Sequence, residues 1–294
     1  MSQVPLDRSA RADEMDEGNV HVVLSDLAYQ RLAIVNVTYY GDPVRDTAWV
    51  LIDAGVTGSK AQILSGVEER FGPNARPAAI ILTHGHFDHI GALPDLAEQW
   101  DVPIYAHELE LPYLNGTASY PEPDPTVGGG MMSMLSPLYP RGPIDVSRWL
   151  KPLPATREVP HMPGWRWIHA PGHTPGQVAL WREPDRTIIA ADAFITTAQE
   201  SAYAVAFQRP ELHGPPMYYT QDWDAARESV RRLADLEPEL AVTGHGRAMK
   251  GEALRNALHT LARDFDKVAV PEHGKYVEHP ARAGTGEAYA PPKG

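Results

Sequence analysis

The chain has 294 residues, 43% of them apolar, with 38 acidic and 26 basic residues for a net charge of −12 and no cysteine. That length and apolar content suffice for a substantial buried core, while the missing cysteines exclude disulfides, thiolate metal sites and a cysteine nucleophile. The acidic balance repels a phosphate backbone, and no window approaches the roughly 20 apolar residues of a membrane span, so neither nucleic acid nor membrane is expected as a partner.

The N-terminal stretch, residues 1 to 19, carries no apolar run behind a basic end, which predicts an unprocessed, cytoplasmic protein. Three β-rich segments follow, HVVLSD at 21 to 26, LAIVNVTYY at 32 to 40 and TAWVLIDAG at 47 to 55, separated by turn-prone residues. Between Thr57 and Phe71 the apolar positions Ile63, Leu64, Val67 and Phe71 are spaced for an amphipathic helix. AAIILT returns to strand, Gly91 to Trp100 reads as helix, PIYA at 103 to 106 as strand, and a helical turn is expected from His107.

Residues 115 to 163 are dense in Pro, Gly and Met and show little periodicity beyond a short helix around Met131 to Leu138. A stretch this long inside a compact domain is usually functional or disordered. Regular patterning resumes with GWRWIHA, GQVALWRE and RTIIAAD as strands, and Trp223 to Leu236 as a helix with Asp222 as N-cap. ELAVTGHG is a strand, Glu252 to Val268 a last long helix, and residues 269 to 294 a C-terminal tail, extended or disordered. Strands and helices alternate twice, which suggests two similar α/β halves stacked sheet on sheet with helices outside, an αββα sandwich.

The segment THGHFDHIGAL, Thr83 to Leu93, places three histidines and an aspartate within six positions. After a strand, His84 and His86 point the same way and Asp88 and His89 lie just beyond, so four ligand-type side chains can converge on a metal. Other histidines at strand ends beside glycine are His173 in APGHTPG and His245 in TGHG, and Asp192 ends RTIIAAD. A carboxylate so placed can bridge two ions.

With these pieces in view the chain resembles the metallo-β-lactamase superfamily. The motif H-x-H-x-D-H is present as His84, His86, Asp88 and His89, and GHTPG, Asp192 and GHG follow in the family's order. The early strand ending in aspartate is matched by Asp53. Over roughly residues 20 to 268 the resemblance implies a hydrolase domain of four-layer αββα architecture, with the 115 to 163 stretch as a loop or cap insertion. It implies that His84, His86 and His173 bind one ion, and that Asp88, His89 and His245 bind a second, with Asp192 between them. Asp53 is implied as a supporting residue that orients the histidine turn.

Two divalent ions, zinc first and otherwise manganese, iron or cobalt, are thus the expected cofactors. Such a pair lowers the pKa of a shared water from about 15.7 towards about 7, giving a bridging hydroxide. Asp88 is the residue expected to orient the attack and carry its proton. A small ester, lactone or thioester is the expected substrate, as in the lactonase and glyoxalase II branches. Persulfide dioxygenases of the same fold keep the histidines around a single iron, and β-lactamase or phosphotriesterase chemistry also falls within the family. Lactonases commonly carry a tyrosine three residues after the bridging aspartate, where this chain has Ile195, and Tyr203, Tyr218 and Tyr219 are the tyrosines that could replace it. Met131, Met134, Tyr139, Ile195 and His213 are candidate pocket residues, although the methionine-rich stretch equally suits a homodimer interface.

Overall fold

Backbone and side chains are described for residues 4–6, 8–46, 48–199 and 211–292 of a computed structural model. Two compact units make up the chain, one formed by Met1–Ala12, Tyr120–Arg141 and Trp167–Ala290, the other by Asp13–Ser119, Gly142–Arg166 and Pro291–Gly294. Both are mixed α/β, the expected class.

After a short strand β1 (Val4–Pro5), the second of these units is organised by an eight-stranded sheet whose strands lie in chain order. They are β2 (Met15–Glu17), β3 (Val20–Leu24), β4 (Leu27–Leu32), β5 (Val35–Tyr40), β6 (Val50–Ile52), β7 (Ala79–Ile81), β8 (Ile104–Ala106) and β9 (Leu150–Pro152). The run from β2 to β6 is antiparallel, and β6 to β9 are parallel. Parallel pairing needs crossovers, supplied here by helices Lys60–Phe71 and Leu93–Trp100. Ile63, Val67, Leu93, Leu96 and Trp100 from these helices pack with Val37, Leu51 and Ile80 of the sheet in one apolar core.

The segment expected as one strand over 32 to 40 is divided between β4 and β5 by a turn at Ala33, whose φ is +55°. LAYQRL was not expected to be a strand because Gln30 and Arg31 interrupt its apolar pattern. Gln30 is nevertheless buried, with its amide donating to the Gln62 carbonyl at 3.1 Å and its oxygen accepting from Tyr39 Oη at 2.6 Å. The helix expected from Gly91 begins at Leu93 and is preceded by a helical turn, Phe87–Ile90.

The other unit is built on a five-stranded sheet in the order β10 (Trp165–His169), β11 (Val178–Arg182), β12 (Thr187–Ala191), β14 (Leu240–Thr243) and β15 (Met249–Lys250), while β13 (Glu211–Leu212) pairs with β1. Its core joins Trp181, Ile188 and Phe194 to Val230 and Leu233 of helix Trp223–Ala234 and to Leu254, Leu258 and Leu261 of helix Gly251–Arg263. Asp222 caps the first helix by accepting from Ala225 N at 3.1 Å. The long helix expected to Val268 breaks at Asp264 and resumes as Phe265–Val268.

Residues 269 to 294 were expected to be an extended or disordered tail, and the structure corrects this for the part it describes. Helix Lys275–Glu278 buries Tyr276, and Ala281 N donates to the Gln221 carbonyl at 3.0 Å. The buried apolar ring explains why this Pro/Gly-rich stretch is held. Among the described residues no helix is long and apolar enough to cross a membrane.

Candidate metal centre

In the unit of the eight-stranded sheet, parallel neighbours β6 and β7 pair Ile52 with Ile81, so the residues just past their carboxyl ends emerge side by side. That is where Asp53 and the Thr83–His84 turn stand. Asp53 Oδ1 accepts from Thr83 N at 2.8 Å, and Oδ2 accepts from Thr83 Oγ1 at 2.7 Å and from His89 Nδ1 at 2.8 Å. These three bonds tie Asp53 to Thr83 and His89 of the histidine turn.

The bonds also set the histidine tautomers. Thr83 has one hydroxyl proton and gives it to the Asp53 carboxylate, so its oxygen, 3.1 Å from His84 Nδ1, accepts from that nitrogen. A carboxylate can only accept, so His89 Nδ1 is protonated as well. In the neutral imidazole this leaves each Nε2 as the lone-pair nitrogen, the form that binds a metal. The rings of His84 and His86 lie 4.8 Å apart and those of His84 and His89 4.1 Å apart, centroid to centroid. All three are buried, and Asp88, on the single turn after His86, is 6% exposed.

Glu110 was not singled out in the sequence. Its fully buried carboxylate accepts from Gly85 N at 2.9 Å, holding the peptide between His84 and His86. The pairing spans 25 positions and ends on a backbone amide, so no local pattern marks it.

The other unit repeats the device. Parallel neighbours β12 and β14 pair Ala191 with Thr243, and Asp192 and His245 follow at their carboxyl ends. His245 Nε2 lies 3.0 Å and His173 Nε2 3.5 Å from the same oxygen, Asp192 Oδ2. His245 is fixed through its own backbone, because its carbonyl accepts from Thr196 N at 3.0 Å and Thr243 Oγ1 at 2.7 Å. Gly246 follows at φ +96°, where a Cβ would meet Thr196 Oγ1 at 2.3 Å, so only glycine fits.

Other expected site residues are placed differently. Ile195 and His213 are buried and form an antiparallel bridge through reciprocal backbone bonds of 3.1 and 2.9 Å. Met131 and Met134, in the short helix Met131–Leu135, are 53% and 67% exposed, and Tyr139 lies 6.3 Å from Tyr218 between ring centroids. Tyr218 and Tyr219 are buried in a 3₁₀ turn, and Tyr203 lies outside the described residues.

His84, His86, Asp88 and His89 of one unit, and His173, Asp192 and His245 of the other, all belong to His/Asp groups able to hold a metal ion. The donor set is imidazole and carboxylate only, which suits zinc, iron or manganese.

Comparison with known proteins places these features in a family. The model of the metallo-beta-lactamase superfamily matches residues 31–245, and the chain belongs to that superfamily. The probable metallo-hydrolase YflN of Bacillus subtilis (strain 168) is 45% identical over 235 residues, covering 80% of this chain and 89% of that protein. A B3 metallo-beta-lactamase with an active-site glutamic acid shares the fold at a TM-score of 0.58 with 19% identity, covering 89% of this chain and 92% of the other. The archaeal superfamily protein ST1585 of Sulfolobus tokodaii gives 0.53 with 20% identity over 79% of this chain and 80% of its own. The expected metallo-β-lactamase fold is therefore the fold of this chain.

Proposed function

We propose that the chain is a metal-dependent hydrolase with a dinuclear site, acting on a small carboxylic ester, lactone or thioester. The observation that carries this reading is the preset tautomer of the histidines, with Nδ1 of His84 and His89 committed to Thr83 and Asp53 and Nε2 left as the ligand atom. Burying several imidazoles in this form without a ligand would expend desolvation for nothing in return.

On the family's pattern His84, His86 and His173 would hold one ion and Asp88, His89 and His245 a second, with Asp192 as a further ligand. Divalent ions bound there would supply Lewis acidity and acidify water at neutral pH. The chain's own residues do the rest. Asp88 has one carboxylate oxygen to ligate and one to accept a proton from the attacking water. Asp53 and Glu110 hold the histidine turn in register.

The hydrolase reading draws support from YflN, which carries the name of a probable metallo-hydrolase. The preference for a neutral, small acyl substrate follows from the net charge of −12, which disfavours polyanions. Met131 and Met134, being exposed, better suit a homodimer interface than a pocket.

Zinc-loaded protein assayed against aryl esters, lactones, thioesters, β-lactams and phosphotriesters tests the proposal. Turnover of at least one acyl substrate, abolished by chelation and restored by zinc, is the expected result. Sulfite formation from a persulfide by protein holding one iron would instead select the dioxygenase alternative.

A further inference from the structure

We propose that Thr220 is a positioning residue for His173 and that the C-terminal segment from Lys275 to Arg282 keeps it in place. The inference rests on the reading of His173 as a metal ligand.

Thr220 is fully buried, with Oγ1 2.7 Å from the Pro216 carbonyl oxygen and 3.1 Å from His173 Nδ1. A carbonyl only accepts, so the single hydroxyl proton goes to Pro216 and the oxygen accepts from His173 Nδ1. His173 is thereby held as the Nδ1-protonated tautomer, with Nε2 on the side of Asp192. Thr83 does the same for His84 in the other unit, passing its proton to Asp53.

Thr220 sits in irregular chain after the 3₁₀ turn Met217–Tyr219, so its position must be set from outside. One support comes from the His173 loop itself. Gln221 N and Asp222 N donate to the Gly172 carbonyl at 3.0 and 2.9 Å. Gly172 has φ +131°, and a Cβ there would lie 2.3 Å from Ala226 N, so the loop and helix Trp223–Ala234 approach as only glycine permits.

The second support is the C-terminal segment. Ala281 N donates to the Gln221 carbonyl at 3.0 Å, and Arg282 reaches Asp222 at 2.7 Å and Asp224 at 3.2 Å. Lys275 N donates to Asp124 Oδ2 at 2.6 Å, Asp124 N donates to the Tyr218 carbonyl at 2.8 Å, and the Tyr276 hydroxyl donates to the Glu122 carbonyl. Residues 218 to 222 are thus gripped from both ends by a segment about 60 positions downstream.

Full-length zinc-loaded protein and its Thr220→Val and Thr220→Ser variants test this, with zinc affinity read by chelator competition and the His173 Nδ1 proton by long-range proton–nitrogen NMR. Thr220→Val, which exchanges the hydroxyl for a methyl, is expected to weaken one zinc equivalent about 10–100-fold, leave the other unchanged and lose the protected Nδ1 proton. Thr220→Ser is expected to restore both. If Thr220→Val does not fold, Thr220→Ala takes its place in the comparison. Wild-type affinity for both equivalents in the variant, or no rescue by serine, would overturn the proposal. Parent protein that binds no zinc but shows a protected His173 Nδ1 proton would contradict the hydrolase reading and uphold the Thr220 relay.

Discussion

Asp53 Oδ2 lies 2.8 Å from His89 Nδ1, so a side chain at the end of one strand fixes the ring of a histidine 36 residues later. The same carboxylate takes both donors of Thr83, and it has enough acceptor sites for all three bonds. Asparagine does not, because its NH₂ group would face a donor. It does tolerate the positive φ of +62° found at Asp53, which makes Asp53→Asn a fair comparison. The variant is expected to fold and to bind metal about 10–100-fold more weakly, read as zinc retained after dialysis against a chelator. Retention equal to the parent would remove Asp53 from the site.

Glu110 tests the support of the histidine turn from its other side. With its carboxylate gone, Gly85 N–H would be left as a buried donor without its acceptor, at a cost of about 1–3 kcal/mol. Glu110→Ala is therefore expected to lower both denaturant stability and metal affinity, and Glu110→Gln, which keeps an acceptor, to lower them less. Equal losses in the two variants would point to packing alone.

Asp88 carries the proton-transfer claim. Asp88→Asn keeps an oxygen for ligation but has no carboxylate to accept a proton, so kcat is expected to fall about 10²–10⁴-fold while two metal ions remain bound. Near-parental turnover at full metal occupancy would move that role to another group.

The C-terminal clasp separates buried from exposed contributions. Tyr276 is 4% exposed, and Tyr276→Ala is expected to destabilise by about 3 kcal/mol or more, as truncation of a large core side chain does. The Arg282 side chain is 50% exposed, so water screens its ion pairs and their loss is expected to cost far less than the loss of Tyr276. Urea unfolding of the two variants gives the comparison, and a larger loss for Arg282→Ala would reverse it.

Much of the candidate site was legible because the residues proposed as its ligands stand where strands end. His84, Asp192 and His245 each follow a short β-branched or apolar run and neighbour a glycine or a turn, so type and spacing singled them out as candidates without coordinates. The residues that hold these side chains were not legible. Glu110 acts on a backbone amide, and Thr220 reaches His173 across 47 positions, so neither leaves a periodic or local signal. Strand β4 was missed because a buried glutamine paired to Tyr39 looks the same in sequence as an exposed one. The tail was misread because its composition is that of a disordered segment, while Tyr276, Ala281 and Ala288 are buried and Val270 and Val277 pack against the core.

Elemental analysis of the purified full-length protein, combined with an ester and lactone assay on the same sample, tests the dinuclear hydrolase most directly. Two divalent ions per chain, with hydrolysis that disappears on chelation and returns with zinc, is the expected result. One iron per chain, or two ions per chain with no hydrolysis of any acyl substrate, would contradict it.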